Sequence, residues 1–95
     1  MFIHIFGMRW KPEATDADKA RAAEQILAFR GKIPGLLEVN YGTNVSPRGQ
    51  GYEVIGHMKF TDKAACDAYQ VHPLHQALLA WLVPLITAVE LDLEA

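Results

Sequence analysis

The chain has 95 residues, 51% of them hydrophobic and 21% charged, which fits one compact domain spanning residues 1–95 and excludes both multiple cores and compositional disorder. Nine lysines and arginines against eleven aspartates and glutamates give a net charge of -2, so no basic surface awaits a phosphate backbone and nucleic acid is not an expected partner. The single cysteine, Cys66, has no partner for an internal disulfide, which points to a reducing, cytoplasmic setting.

Phe2, His4, Phe6 and Met8 alternate with Ile3, Ile5, Gly7 and Arg9, and this period of two predicts a first strand over Phe2 to Trp10 with two largely apolar faces. The stretch has neither a basic leader nor a small-residue cleavage site, so no secretory signal is expected. Lys11-Pro12 ends the strand. Thr15 is the natural N-cap of a first helix, with Asp16 and Asp18 in its first turn and Arg30 and Lys32 near its far end. Its apolar stripe is Ala22, Ala23, Ile26, Leu27 and Phe29, and Gly31 suits the left-handed C′ position.

Leu36 to Asn44 predicts a second strand with Leu37, Val39 and Tyr41 together on one face, and the run Ser46 to Gly51 carries turn residues. Tyr52 to Phe60 predicts the third strand, with Tyr52, Val54, Gly56, Met58 and Phe60 opposite Glu53, Ile55, His57 and Lys59. Thr61-Asp62 caps a second helix whose stripe includes Ala65, Ala68 and Tyr69. His72-Pro73 breaks and restarts the helix, because proline suits a first helical position and disfavours helical geometry in the residue before it. Leu74, Ala77, Leu78, Trp81 and Leu82 make the third helix apolar, and Pro84 kinks or ends it. The longest uncharged apolar run, Ala77 to Ile86, is about half the roughly 20 residues a membrane span needs, so no membrane partner is expected. Val89, Leu91 and Leu93 then alternate with Glu90, Asp92 and Glu94 as a fourth strand, the acidic set forming its solvated face with a pocket role left open for Asp92.

This order predicts an α+β fold of the ferredoxin-like split βαβ type, a four-stranded antiparallel sheet with its helices on one face. The other face would leave Ile3, Ile5 and Ile55 in water. An apolar patch of that kind marks an interface, so a two-fold homodimer with facing sheets is expected.

Several motifs occur in order along this frame: His4-Ile5 with Trp10-Lys11-Pro12 and Thr15, Lys32-Ile33-Pro34-Gly35, Gly42-Thr43-Asn44-Val45-Ser46, and Gly51-Tyr52. Phe60, Tyr69, His72-Pro73-Leu74-His75-Gln76, Pro84-Leu85 and Leu91-Asp92-Leu93 complete the set. Together they resemble the stress-response dimeric α/β barrel (Dabb) family over essentially the whole chain. The resemblance implies a homodimer in which two sheets meet in a barrel-like core. Functions in the family range from stress-associated proteins to a plant polyketide cyclase that closes a linear poly-β-keto thioester. In that cyclase a histidine of the His-Pro-x-His segment acts as base, a tyrosine on the preceding helix supports it, and a first-strand histidine lines the pocket. The resemblance places these roles on His75, Tyr69 and His4. Val54 stands where the cyclase has a further histidine and Ile26 where it has a pocket tyrosine, so the substrate does not carry over.

The residue chemistry admits two readings. An imidazole that titrates near neutral pH suits His75 to taking and returning a carbon acid's proton with Tyr69 orienting it, while the plainer reading has His75 bonded to a carbonyl at the helix break and Tyr69 packed in the core. His4, among Phe2, Phe6 and Met8, is either a ligand contact or a hydrogen-bonded core histidine. Phe6, Met8, Val54, Met58, Leu78 and Trp81 are the expected walls of a small-molecule pocket, or simply core. Gly56 marks either an opening into that pocket or a bulge.

His72 and His75 make an i, i+3 pair, but with no cysteine or carboxylate near in sequence and His72 explained as a cap, no metal is expected. Cys66 reads as a small packed residue. Without a phosphate-binding glycine loop or a serine elbow, no cofactor is expected. The expectation is a homodimer that binds a small, largely apolar ligand and performs cofactor-independent acid/base chemistry on a carbonyl compound. The alternatives are a non-catalytic stress-associated binding protein and a cofactor-free monooxygenase of the related dimeric barrel type.

Overall fold

In the computed structural model, which describes residues 1–95, β1 (Phe2–Trp10) is followed by α1 (Asp16–Leu27), β2 (Leu36–Thr43) and β3 (Val54–Phe60). The chain continues through α2 (Lys63–Gln70), α3 (Pro73–Leu82), a single 3-10 turn over Val83–Leu85, and β4 (Ile86–Glu94). The strands form one antiparallel sheet in the order β2-β3-β1-β4. This is the ferredoxin-like α+β arrangement. No helix is long and apolar enough to cross a membrane.

Local chemistry sets the helix starts. The Thr15 hydroxyl accepts from the Asp18 N–H at 3.1 Å while the Asp18 carboxylate accepts from the Thr15 N–H at 2.9 Å, a reciprocal capping box. The Asp62 carboxylate accepts from the Ala65 N–H, and His72 Nδ1 accepts from the Leu74 N–H, so each later helix has its own cap. Helix α1 stops at Leu27, short of Phe29, the last residue of its expected stripe. The chain there tightens into turns that bury Phe29 and Ile33, the Arg30 guanidinium donates to the Val39 carbonyl, and Gly31 takes its left-handed conformation (φ 79°) beyond the helix. Strand β3 starts at Val54 rather than Tyr52, after left-handed Gln50 and Gly51, and β4 starts at Ile86, before the alternating acidic residues.

Phe2, His4, Phe6 and Met8 of β1, Val39 of β2, and Met58 and Phe60 of β3 are buried under the helices. A register shift between Leu36 and Glu38 interrupts the alternation of β2. Leu36 and Val39 are buried while Leu37 is exposed, so Leu37 does not share the face of Val39 as its spacing predicted. The opposite sheet face leaves Ile55, Leu91 and Leu93 exposed, the two leucines at 60% and 58%, with Ile3 and Ile5 half-buried beside them.

Gly56 lies directly opposite Phe6 in the β1–β3 register, and a Cβ at this glycine would run into the Phe6 ring. The missing side chain is therefore replaced by a cross-strand aromatic ring, and Gly56 opens neither a pocket nor a bulge. Gly56→Ala is expected to lose about 1–3 kcal/mol in chemical denaturation through overpacking. Gly42→Ala, where an added Cβ meets nothing within 4 Å, should remain near neutral.

Candidate functional site

Between the sheet and α3 lies a cavity of about 410 Å³, within the range of small-molecule sites. It sits over β1 and β4 because β4 pairs with the free side of β1, with Met8 facing Ala88 and Trp10 facing Ile86. His4, Phe6, Met8, Ile26, Leu78, Leu79, Leu82, Val83, Ile86 and Ala88 line it, joined by Tyr69, Gln70, His75 and Glu90.

Of the pocket walls expected from sequence, Phe6, Met8 and Leu78 line this cavity. Met58 is wholly buried in the core, Val54 edges a separate hollow with Trp10 and Tyr41, and the Trp81 indole donates to Gln25 under the Arg21 guanidinium. These three belong to packing because β3 is an inner strand on the far side of β1 and Trp81 turns toward α1. Ile26, aligned with a pocket position by resemblance, does line the cavity. Gln70, Leu79, Leu82, Val83, Ile86, Ala88 and Glu90 are not among the expected walls, and only the pairing of β4 beside β1 would have revealed the last three.

The break at His72-Pro73 builds the polar end of the cavity. Helix α2 ends at Gln70, whose carbonyl has no intrahelical partner, and it accepts from His75 Nδ1–H at 3.1 Å and from Gln76 Nε2 at 2.7 Å. This bond selects the tautomer of a neutral His75 with the proton on Nδ1 and leaves Nε2 without a protein partner. Burial pushes the His75 pKa down, with the Gln70 hydrogen bond opposing, so the ring is neutral at pH 7.

Tyr69 stacks on His75 with ring centroids 4.2 Å apart and planes 33° apart. It is itself held by Phe60 at 5.4 Å and by an edge contact from Phe29 at 5.7 Å. The tyrosine thus constrains the imidazole through its ring face, not through a hydrogen bond from its hydroxyl. Burial pushes the Tyr69 phenol well above its usual value, so the hydroxyl keeps its proton.

His4 is 3% exposed. Its Nδ1 lies 2.6 Å from Asp92 Oδ1, directly across the β1–β4 pair, and its Nε2 lies 3.9 Å from Glu90 Oε1. Glu90 and Asp92 are therefore not simply a solvated strand face. Both stand on the His4 side of the sheet, half or more exposed at its edge, while Leu91 and Leu93 take the opposite face. His57 lies across the sheet between Ile5 and Asn40, with a buried Nδ1 that has no partner.

The family model of the stress responsive A/B barrel domain matches residues 2–95. A dimeric ferredoxin-like protein of unknown function from Jannaschia sp. CCS1 is 29% identical, each chain covering 100% of the other, with a TM-score of 0.80. A hydroxynitrile lyase from Passiflora edulis is 16% identical over 98% of this chain and 93% of its own, with a TM-score of 0.82. An antibiotic biosynthesis monooxygenase is 18% identical over 100% and 98%, with a TM-score of 0.78. No curated protein matches the chain by sequence.

Proposed function

The chain belongs to the stress-responsive A/B barrel (Dabb) family, and from that premise we propose that it is a homodimer holding a small, largely apolar carbonyl compound in the β1–β4 cavity and moving a proton on it without a cofactor. The observation that carries this reading is the free Nε2 of His75, a neutral base whose other nitrogen is occupied by the Gln70 carbonyl. His75 Nε2 takes the proton from a carbon next to the carbonyl and returns it after the bond change. Tyr69 positions the ring. His4, held through Nδ1 by Asp92, lines the same cavity and fixes the shape of its polar end. The fold hosts both a lyase and a monooxygenase among its neighbours, so the choice of chemistry rests on these side chains and not on the scaffold.

A 1,3-dicarbonyl compound in deuterated water tests the reading directly, because its α-protons wash out as a base removes them. The protein should accelerate that exchange at neutral pH, followed by NMR, and exchange no faster than buffer would overturn the proposal. A second reading, non-catalytic binding, is favoured by the Gln70 bond, which by itself accounts for a buried histidine. It predicts saturable binding without exchange. The monooxygenase alternative predicts oxygen uptake with a quinol substrate.

The depressed His75 pKa also sets a stability slope. The unfolded ring titrates near 6.5 and the folded ring lower, so as pH falls below the unfolded value the unfolded state binds more protons and the fold loses stability until the folded ring also charges. Above the unfolded value this contribution is flat. Chemical denaturation from neutral pH downward should show the loss in the native chain, and His75→Gln should reduce it.

A further inference from the structure

We propose that His4 Nδ1, Cys66 Sγ and Asp92 Oδ1 form a binding site for a divalent cation of the zinc class. The three residues come from β1, α2 and β4 and are far apart in sequence, yet their ligand atoms all lie within 4.8 Å of one another. A tetrahedral zinc centre with nitrogen, sulfur and oxygen ligands places its donors about 3.5 Å apart. The site needs the His4–Asp92 pair, now 2.6 Å, to open by roughly 1 Å and the sulfur to draw in, shifts within side-chain reach.

The donor set suits the cation in charge and type. A thiolate and a carboxylate together neutralise a divalent ion, and imidazole with thiolate selects zinc over magnesium or calcium. Two supporting contacts have the sense that metal sites use. Gln70 Nε2 donates toward Cys66 Sγ at 4.0 Å, and Glu90 Oε1, 3.9 Å from His4 Nε2 and so beyond hydrogen-bond distance, lies on the side of the nitrogen that would carry the imidazole proton once Nδ1 ligates. His4 and Cys66 are both 3% exposed, whereas the Asp92 side chain is half exposed, so the ion enters from the β4 edge and keeps a water as its fourth ligand.

On binding, the Cys66 S–H bond breaks and its proton leaves to solvent, while the proton that His4 Nδ1 donates to Asp92 gives way to the ion. The site uses the His4 nitrogen turned toward Asp92 and does not depend on the reaction proposed for His75.

Cobalt(II) titration of the full chain under reducing, anaerobic conditions tests it. One ion per chain with thiolate-to-cobalt charge-transfer absorption is expected, and stoichiometric zinc should displace it. Cys66→Ala should abolish that absorption and weaken binding more than about tenfold, and Asp92→Asn should weaken binding by a similar factor while the absorption returns at saturating cobalt. Asp92 is half exposed, so its variant keeps the test open if Cys66→Ala fails to fold. A native chain without thiolate absorption, or cobalt affinity within about twofold of native in Asp92→Asn, overturns the site.

Discussion

His75→Gln will slow α-proton exchange of a bound 1,3-dicarbonyl compound by about 10²–10⁴-fold, the span that a positioned general base contributes. Glutamine is chosen because its side-chain amide can still donate to the Gln70 carbonyl, which preserves the join between α2 and α3, but it offers no base where Nε2 stood. The native rate should fall as pH drops through the lowered His75 pKa and level off above it, since only the neutral ring accepts a proton. Tyr69→Phe separates the two roles available to the tyrosine. If its work is to hold the imidazole by stacking, the phenylalanine ring retains most of the rate, whereas a hydroxyl that touches substrate would take the rate down with it. Full exchange activity in His75→Gln would remove His75 as the base whatever else the cavity binds.

A charge placed in the outer sheet face will separate the proposed dimer. In a two-fold interface each substitution appears twice, and an unpaired buried charge costs several kcal/mol. Ile5→Asp with Leu91→Asp, side chains paired across β1 and β4, is therefore expected to raise the dimer Kd by at least about a thousandfold. Sedimentation at low micromolar concentration should show the native chain at twice its 10.6 kDa mass and the variant at that mass. Val71→Asp, a single charge at an already exposed site on the helical side, should remain dimeric. A native chain that sediments as a monomer removes the dimer from the proposal.

The order of elements and most of their starts were legible because they rest on short-range chemistry: the Thr15 cap, the proline after His72, the alternation in β1. Ends were less legible where tertiary contacts prevailed. The α1 stripe runs on to Phe29, but Phe29 reaches the core from a turn, and nothing local shows Arg30 leaving the helix surface to bind the Val39 carbonyl. The cavity was half legible. His4, Tyr69 and His75 do meet around it, yet strand alternation alone points to Val54 and Met58 as its wall, and the apolar stripe of α3 to Trp81, and none of the three lines it. Alternation says which side of the sheet a residue occupies, not how far along the sheet it lies. The cavity lies over the β1–β4 half, and only long-range pairing puts Ile86, Ala88 and Glu90 there. The same pairing brings Asp92 to His4 and makes a cluster that residue spacing could not disclose.

The main-chain oxygen at the end of α2 divides the labour of this molecule. Because Gln70 contributes its carbonyl, the bond that fixes the imidazole's hydrogen is made by main chain, while Leu79, Leu82, Ile86 and Ala88 line the cavity with aliphatic side chains. In the proposed reaction, proton transfer and substrate selection therefore reside in separable parts of the chain. Resizing those aliphatic walls offers a route to retarget the cavity while its proton acceptor stays in place.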